Sequence, residues 1–239
     1  MSVAERIAIV QERIAVAARR AGRKPDDVTL VAVTKTHPPE LVAEAIAAGL
    51  TNLGENRVQE AQTKIVALAA ARQQVRWHLI GHLQRNKARL ATELFDLVHS
   101  VDSLRLAEAL QCYAAEAGRR LPVLLQVNVS GEASKEGFAL TGGVANRAGL
   151  DALLSEVERI VALPALELRG LMTVAPIVAH PEQARPTFRA LRELGEELAR
   201  RFPAAHWGEL SMGMTDDFEA AIAEGATIVR VGRAIFGPR

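Results

Sequence analysis

The stretch Val28-Thr-Leu-Val-Ala-Val-Thr-Lys35-Thr-His37 decides the fold, because it leads a buried strand directly into a single lysine. Its β-branched and apolar residues predict a strand over 28–34, and Pro38 and Pro39 introduce a helix. Lysine is seldom fully buried without a partner. At a strand end that faces a cavity, a desolvated lysine is an amine nucleophile that forms Schiff bases. The alternative interpretation of Lys35 is a surface lysine whose aliphatic chain packs against the protein while its ammonium group is solvated.

Strand and helix patterns alternate along the rest of the chain. After a helix over residues 2–22, the sequence predicts eight strands, each followed by a helical pattern. The predicted strands cover residues 28–34, 51–53, 75–80, 95–101, 122–129, 166–173, 209–211 and 227–231. The polar segment 130–142 is expected to be a loop.

This alternation implies a parallel sheet with helices outside it. Eight units fit the usual length of an α/β barrel, so we expect a (β/α)8 TIM barrel with an extra N-terminal helix over residues 1–25, and a single domain over 1–239. An open doubly wound sheet is the rival fold. No Gly-x-Gly-x-x-Gly follows the first strand, so the dinucleotide-binding fingerprint of that fold is missing.

Composition narrows the classes of function. The net charge of +1 gives no reason to expect nucleic acid or a membrane surface as a partner. A single cysteine, Cys112, excludes an internal disulfide framework and cysteine-based zinc sites, and we expect it to be a small buried residue. No apolar run reaches the length of a membrane span, and the amino terminus lacks a signal core. We therefore expect a cytoplasmic protein that binds neither nucleic acid nor a membrane.

The residues at the carboxyl ends of barrel strands meet on one face, where active sites lie. In this alanine- and leucine-rich chain they form a polar set, namely Lys35, Asn56, His82, Ser100, Asn128, Thr173, Ser211 and Arg230. Alternatively, strands end in polar residues simply because the loops that follow them are exposed to solvent. His82 in particular suits a strand-end histidine whose hydrogen bonds are made with the backbone.

Two segments predict a phosphate site, since the loops after strands seven and eight of a barrel frequently bind phosphate. They are Ser211-Met-Gly213-Met-Thr215-Asp-Asp217 and Arg230-Val-Gly232-Arg233. Glycines let backbone amides approach an anion closely, Ser211 offers a hydroxyl, and Arg230 or Arg233 supplies charge. A phosphate site near a strand-end lysine indicates a phosphorylated carbonyl compound, either pyridoxal 5′-phosphate or a sugar-phosphate aldehyde.

The chain resembles the YggS/PROSC family of pyridoxal phosphate homeostasis proteins, and the resemblance spans nearly its whole length. The segments that carry it are Val33-Thr-Lys35, Gly54-Glu55-Asn56-Arg-Val-Gln-Glu60, His78-Leu-Ile-Gly81-His82-Leu-Gln84-Arg-Asn86-Lys87, Gly170-Leu-Met172-Thr173, Leu210-Ser-Met-Gly-Met214 and Arg230-Val-Gly232-Arg-Ala-Ile-Phe-Gly237. The family usually has serine where this chain has Thr215, and the hydroxyl is kept.

The resemblance implies a barrel similar to the N-terminal domain of alanine racemase, with pyridoxal phosphate held as a Schiff base on Lys35. It implies phosphate contacts from the Ser211–Met214 loop and from the Arg230–Gly232 segment. The expected cofactor-binding residues are Lys35, Asn56, His82, Met172, Ser211, Met212, Gly213, Met214, Arg230 and Gly232. No metal is expected.

The resemblance also implies a role in storing, buffering or delivering the cofactor. A racemase needs acid or base groups on both faces of the cofactor, and in the racemases that this barrel resembles a second domain supplies a tyrosine. We expect no such domain after the last strand, and Tyr113 lies in a predicted helix, where packing is its expected role. We therefore expect a monomeric carrier without catalytic residues that serves apo-enzymes. The alternatives are a pyridoxal-phosphate racemase, decarboxylase or lyase with Lys35 as base, and a Schiff-base aldolase or sugar-phosphate isomerase.

Overall fold

Parallel pairing closes the strands into a barrel in the computed structural model, which describes residues 1–132 and 135–237. The described strands are β1 (Thr29–Val33), β2 (Asn52–Glu55), β3 (Arg76–Leu79), β4 (Leu97–Val101), β5 (Leu121–Asn128), β6 (Phe138–Ala139), β7 (Leu166–Met172), β8 (Glu209–Ser211) and β9 (Ile228–Val231). Neighbours run in the order β4-β3-β2-β1-β9-β8-β7-β5, and β4 also pairs with β5. The predicted (β/α)8 barrel is confirmed, and its predicted strands six to eight are β7 to β9.

Helices surround this ring. The described α-helices are α1 (Val3–Arg20), α2 (Pro39–Ala47), α3 (Val58–Ala67), α4 (Ala88–Leu94), α5 (Leu104–Glu116), α6 (Arg147–Val161), α7 (Arg185–Arg201), α8 (Phe218–Ala223) and α9 (Arg233–Phe236). A capping box between Ser2 and Glu5 begins α1, which packs against α2, α8 and α9. Within the described residues, no helix is both long and apolar enough to cross a membrane.

Two local expectations from the sequence are wrong. The segment 130–142 contains a short strand, β6, which extends the sheet beside β5 by pairing Phe138 with Val127. Phe138 is buried, so one aromatic side chain anchors a segment that otherwise reads as polar. Cys112 is exposed, because the buried face of α5 includes Leu110 and Ala114 and passes on either side of it.

Two hydrophobic clusters fill the fold. The larger one lies between the barrel and its helices and contains alternate strand residues such as Ala32 and Val98. The smaller one lies inside the barrel, and its buried members are Val31, Leu97, Leu124, Met172 and Ile228. Because successive strand residues point to opposite faces, this alternation defines which side chains enter the lumen.

We expect Gly170→Ala to lower the free energy of unfolding by about 3 kcal/mol, because an added Cβ would clash with the Glu209 carbonyl on the neighbouring strand. The control is Gly118→Ala, where φ is +62° but no atom lies within 4 Å of the added Cβ. Only the backbone conformation opposes that change, at about 1 kcal/mol. Urea unfolding followed by circular dichroism measures both, and equal losses would show that the strand contact does not require this glycine.

Candidate functional site

Lys35 follows β1 at the carboxyl-terminal face of the barrel, where it is half-buried. The closing strand lies directly beside it, since Val31 pairs with Arg230 and an added Cβ on Gly232 would touch the Val33 carbonyl at 3.3 Å. The structure therefore brings the predicted lysine next to one of the two predicted phosphate segments.

A buried ion cluster fixes the backbone on both sides of this lysine. The Lys64 ammonium donates to the Thr34 carbonyl at 2.6 Å, to Glu55 Oε1 at 2.6 Å and to Glu60 Oε1 at 2.7 Å. The same Glu60 oxygen accepts the Thr36 amide. Thr36 has φ of +67°, a conformation that a β-branched residue adopts only when its surroundings enforce it. The cluster supplies that enforcement.

The two carboxylates of the cluster differ in their electrostatics. Burial raises the pKa of Glu55 above its ordinary value, against hydrogen bonds from Lys64 and Thr34. Burial also raises the pKa of Glu60, but hydrogen bonds from Lys64 and the Thr36 amide outweigh it and leave that pKa lowered. The Lys64 ammonium uses its three N–H donors on these three acceptors, so the cluster holds the whole group in place.

A line of polar side chains crosses the lumen of the barrel. The Arg230 guanidinium donates to Ser211 Oγ at 2.7 Å, and Ser211 Oγ lies 2.8 Å from His99 Nδ1. His99 Nε2 lies 2.9 Å from His78 Nδ1, and His78 Nε2 lies 3.0 Å from Asn52 Oδ1. The Ser211 hydroxyl is fully buried, so it faces this line rather than an anion in the loop above it.

The structure separates the two arginines that the sequence leaves open. Arg230 is buried at the carboxyl end of β9, and it also donates to the backbone carbonyls of Ser211 and Thr173, each at 2.8 Å. Burial lowers the pKa of Arg230 to about 10, so it stays protonated at neutral pH. Arg233 is exposed and pairs with Asp216.

The loop after β8 presents backbone amides at the mouth. Gly213 has φ of +92°, and an added Cβ there would lie 2.6 Å from the Ala221 side chain, so glycine is required. The Met214 amide donates to Asp217 Oδ1 at 2.6 Å. Within the described part of the chain, the amides of Gly213, Thr215, Asp216 and Gly232 donate to no acceptor.

The other predicted residues take up varied positions. Asn56 is half-buried, and its Oδ1 atom is buried without a partner among the described residues; Ser100 Oγ is likewise unpaired. Met172 belongs to the cluster inside the barrel. Met212 is not brought to the site, because its side chain packs in the larger cluster and its amide donates to the Ile228 carbonyl.

His82 is an exposed histidine at the mouth. Its Nδ1 atom lies 3.0 Å from Asp102 Oδ2, so a carboxylate satisfies it rather than the expected backbone group. His82, Asp102 and Glu136 place ligand atoms within 4.8 Å of one another, a set that could hold a metal ion. The expectation of no metal stays a prediction.

Sequence reasoning missed the residues that support the site from beneath. It assigned no role to Glu55, Glu60 or His78, although they lie in the quoted motifs, and it passed over Lys64 and His99. A signal existed for the histidines, because each lies within a predicted strand, where a buried polar ring needs a hydrogen-bond partner.

Comparison with known proteins defines the family. A protein-family model described as "Alanine racemase, N-terminal domain" matches residues 7–239. The pyridoxal phosphate homeostasis protein of Pseudomonas aeruginosa is 46% identical over 238 residues, which cover 100% of this chain and 96% of that protein. The Aquifex aeolicus protein of the same name is 43% identical over 239 residues, with 100% and 99% covered. The chain belongs to the pyridoxal phosphate homeostasis protein family.

Solved structures agree with this membership. PipY of Synechococcus elongatus with pyridoxal phosphate bound superimposes with a TM-score of 0.85 at 38% identity, covering 99% of this chain and 100% of that one. An alanine racemase of Clostridium difficile shares the fold, with a TM-score of 0.65 at 13% identity over 96% of this chain and 56% of that one. The family resemblance noted in the sequence is confirmed.

We expect Lys64→Met to lower the free energy of unfolding by about 3–5 kcal/mol, because it leaves the Glu55 carboxylate buried without its cation. The double variant Lys64→Met/Glu55→Leu removes both charges and should recover at least half of the loss. Urea unfolding measures both variants. The control is Arg159→Met, which breaks an exposed pair with Glu108. A loss for Lys64→Met as small as that of the control would contradict a role for the cluster in holding the β1 end.

We expect stability to fall on acidification below about pH 6.5, because the two lumen histidines stay neutral in the fold but take up protons when unfolded. Burial lowers the pKa of His78 to about 3, and it lowers the pKa of His99 well below its ordinary value. The unfolded chain therefore binds more protons, and each histidine removes about 1.4 kcal/mol per pH unit. Urea unfolding between pH 6.5 and pH 5 measures the slope. The double variant His78→Asn/His99→Gln should flatten it, and an unchanged slope would contradict the assignment.

Proposed function

We propose that this chain binds pyridoxal 5′-phosphate as a Schiff base on Lys35 and acts in the homeostasis of that cofactor by storing, buffering or delivering it. The observation that carries the proposal is a half-buried lysine whose two backbone neighbours are held by a buried ion cluster, beside a buried arginine. Family membership and the name of PipY with its bound cofactor support the same reading.

The groups at the mouth suit this cofactor. The amides of Gly213, Thr215 and Gly232 lack acceptors within the described chain and would hold the phosphate. Asn56 Oδ1 is a buried hydrogen-bond acceptor without a donor among the described residues. Arg230 is a buried cation below the mouth of the barrel. When bound, the cofactor supplies an aldehyde that condenses with an amine and loses water.

Each residue then has a distinct task. Lys35 provides the amine, and the peptide groups of Thr34 and Thr36, held by Lys64 and Glu60, fix the direction in which its side chain leaves the backbone. The Ser211 and Thr173 carbonyls accept hydrogen bonds from the Arg230 guanidinium and hold its positive charge at the carboxyl ends of β7 and β8.

Delivery rather than turnover is supported by the position of Tyr113. Its ring is half-buried on α5, against the outer core and beneath the Arg89 guanidinium, whose carbon lies 4.5 Å from the ring centre. It therefore cannot serve as the second acid or base. The proposal extends to release toward apo-enzymes, as a monomer in the cytoplasm.

One observation favours a pyridoxal-phosphate racemase or lyase as a second function. His82 pairs through Nδ1 with Asp102 while its side chain is 46% exposed at the mouth. A histidine oriented by a carboxylate is a common acid–base group. An assay for turnover therefore belongs to the test of the proposal.

We expect purified protein incubated with pyridoxal phosphate to show a visible absorption band that Lys35→Ala abolishes, because that variant lacks the amine that forms the carbon–nitrogen double bond. The control is Lys87→Ala, which replaces another half-buried lysine and should keep the band. Borohydride reduction followed by peptide mass spectrometry locates the modified lysine. A band in Lys35→Ala, or reduction at another lysine, would overturn the assignment.

The same holo-protein separates the two functions. It is mixed with individual amino acids while racemisation, decarboxylation and elimination are followed, and separately with an apo-enzyme whose activity reports cofactor transfer. Transfer without turnover supports homeostasis. Sustained turnover that His82→Gln abolishes would establish the second function instead.

A further inference from the structure

The polar line through the lumen connects the two faces of the barrel, and the proposed function uses only its last member. Asn52 and His78 border a cavity of about 250 Å³ that is lined by residues at the amino-terminal ends of the strands. Ser211 and Arg230 lie at the carboxyl ends of β8 and β9. Between them, His99 reaches from β4 to β8, strands that are not neighbours in the ring.

The direction of every hydrogen bond in this line follows from its ends. A neutral imidazole has one N–H donor and one acceptor nitrogen, a guanidinium only donates, and a side-chain carbonyl only accepts. His78 donates from Nε2 to Asn52 Oδ1, so its Nδ1 accepts from His99 Nε2. His99 Nδ1 then accepts from the Ser211 hydroxyl, whose oxygen accepts from Arg230. Every donor points away from the guanidinium.

The charges around the line support neutral imidazoles. Besides burial, Arg76 and Asp96 act on His78 with opposite signs, whereas His78 and Arg230 both act on His99 to lower its pKa. A charged ring at His99 would be repelled by Arg230. Both rings therefore stay uncharged at neutral pH.

Arg230 needs this arrangement because it is a buried cation whose hydrogen bonds, among the described residues, go only to neutral oxygens. Asp217 is the carboxylate that acts on it through space. Burying a charge without a bonded counter-ion is unfavourable unless other dipoles solvate it. In the line described above, each dipole turns its negative end toward the guanidinium.

We infer that His99 and His78 are positioning residues, neutral links of a one-way hydrogen-bond relay that solvates Arg230 in place of a counter-ion. The relay consists of Asn52, His78, His99, Ser211 and Arg230. A carboxylate in this place would neutralise the guanidinium. Dipoles stabilise it while its charge remains available to an anionic ligand at the mouth. This role rests on the proposed function, because it assigns the relay to the binding of the anionic cofactor.

Nitrogen-15 NMR of histidine-labelled protein tests the relay without any cofactor. We expect His78 and His99 to be neutral with the proton on Nε2 between pH 5 and pH 8, and single replacements assign the signals. The remaining histidines are not buried and provide internal references, namely His37, His82, His180 and His206. A proton on Nδ1 of either buried ring, or a charged ring at pH 7, would overturn the relay.

The role in binding is tested with pyridoxal 5′-phosphate itself. We expect His99→Leu to raise its dissociation constant about tenfold or more, because the Ser211 hydroxyl loses its acceptor and Arg230 loses part of its solvation. His99→Gln offers both an acceptor and a donor and should stay within about threefold of the wild type. Ser211→Ala breaks the relay at the next link. His99→Leu and Ser211→Ala remove the same connection between His99 and Arg230. The double variant should therefore bind pyridoxal 5′-phosphate about as weakly as whichever single variant binds it less tightly.

The outcomes separate the two proposals. A wild-type protein that binds no pyridoxal phosphate refutes the proposed function, while the NMR result still decides the relay. A folded His99→Leu protein that binds like the wild type, or additive effects in the double variant, overturns the role in binding. If His99→Leu does not fold, His99→Gln and Ser211→Ala decide, since the relay predicts near-normal binding in the first and weak binding in the second.

Discussion

The parallel pairing of β1 with β9 is the constraint on which the rest of this structure depends. It joins residues near the start of the chain to residues near the end of the described part, so that Val33, two residues before Lys35, lies against Gly232. A lysine at the end of a strand does not by itself indicate a particular chemistry. The chemistry open to such a lysine depends on the residues that barrel closure places beside it. Closure in turn requires that the eight strands have compatible lengths and registers.

Two buried cations support the mouth in contrasting ways. Lys64 sits between two carboxylates, so its charge is neutralised where it stands and serves to hold backbone. Arg230 is surrounded by neutral oxygens, so its charge persists. Lys64 thus holds the backbone in place, whereas Arg230 contributes a positive electrostatic potential. The difference is that the acceptors around Lys64 include carboxylates, while those around Arg230 are neutral.

The sequence predicts the ring because eight strand–helix units leave few arrangements, and it predicts the proximity of Lys35 and Gly232 because ring closure is topological. It does not predict which way each side chain points. Ser211 and Met212 adjoin in sequence but face opposite sides of the barrel wall, so a motif read as one phosphate loop divides into a lumen residue and a core residue. Lys64 follows Glu60 by four positions, a spacing typical of exposed helix pairs, and only the fold reveals that it is buried.

The packing of α1 has a consequence for how the protein is made. This helix is synthesised before every described strand of the barrel, yet it packs against α8 and α9, which follow β8 and β9 respectively. The same delay applies to β1, whose two partners are β2 and β9. Until the ribosome has released residues beyond 231, the apolar face of the first helix lacks part of its cover, and β1 keeps an open edge. Closure of this barrel therefore waits for β9 to emerge from the ribosome, and every earlier stage of translation leaves one edge of β1 unpaired.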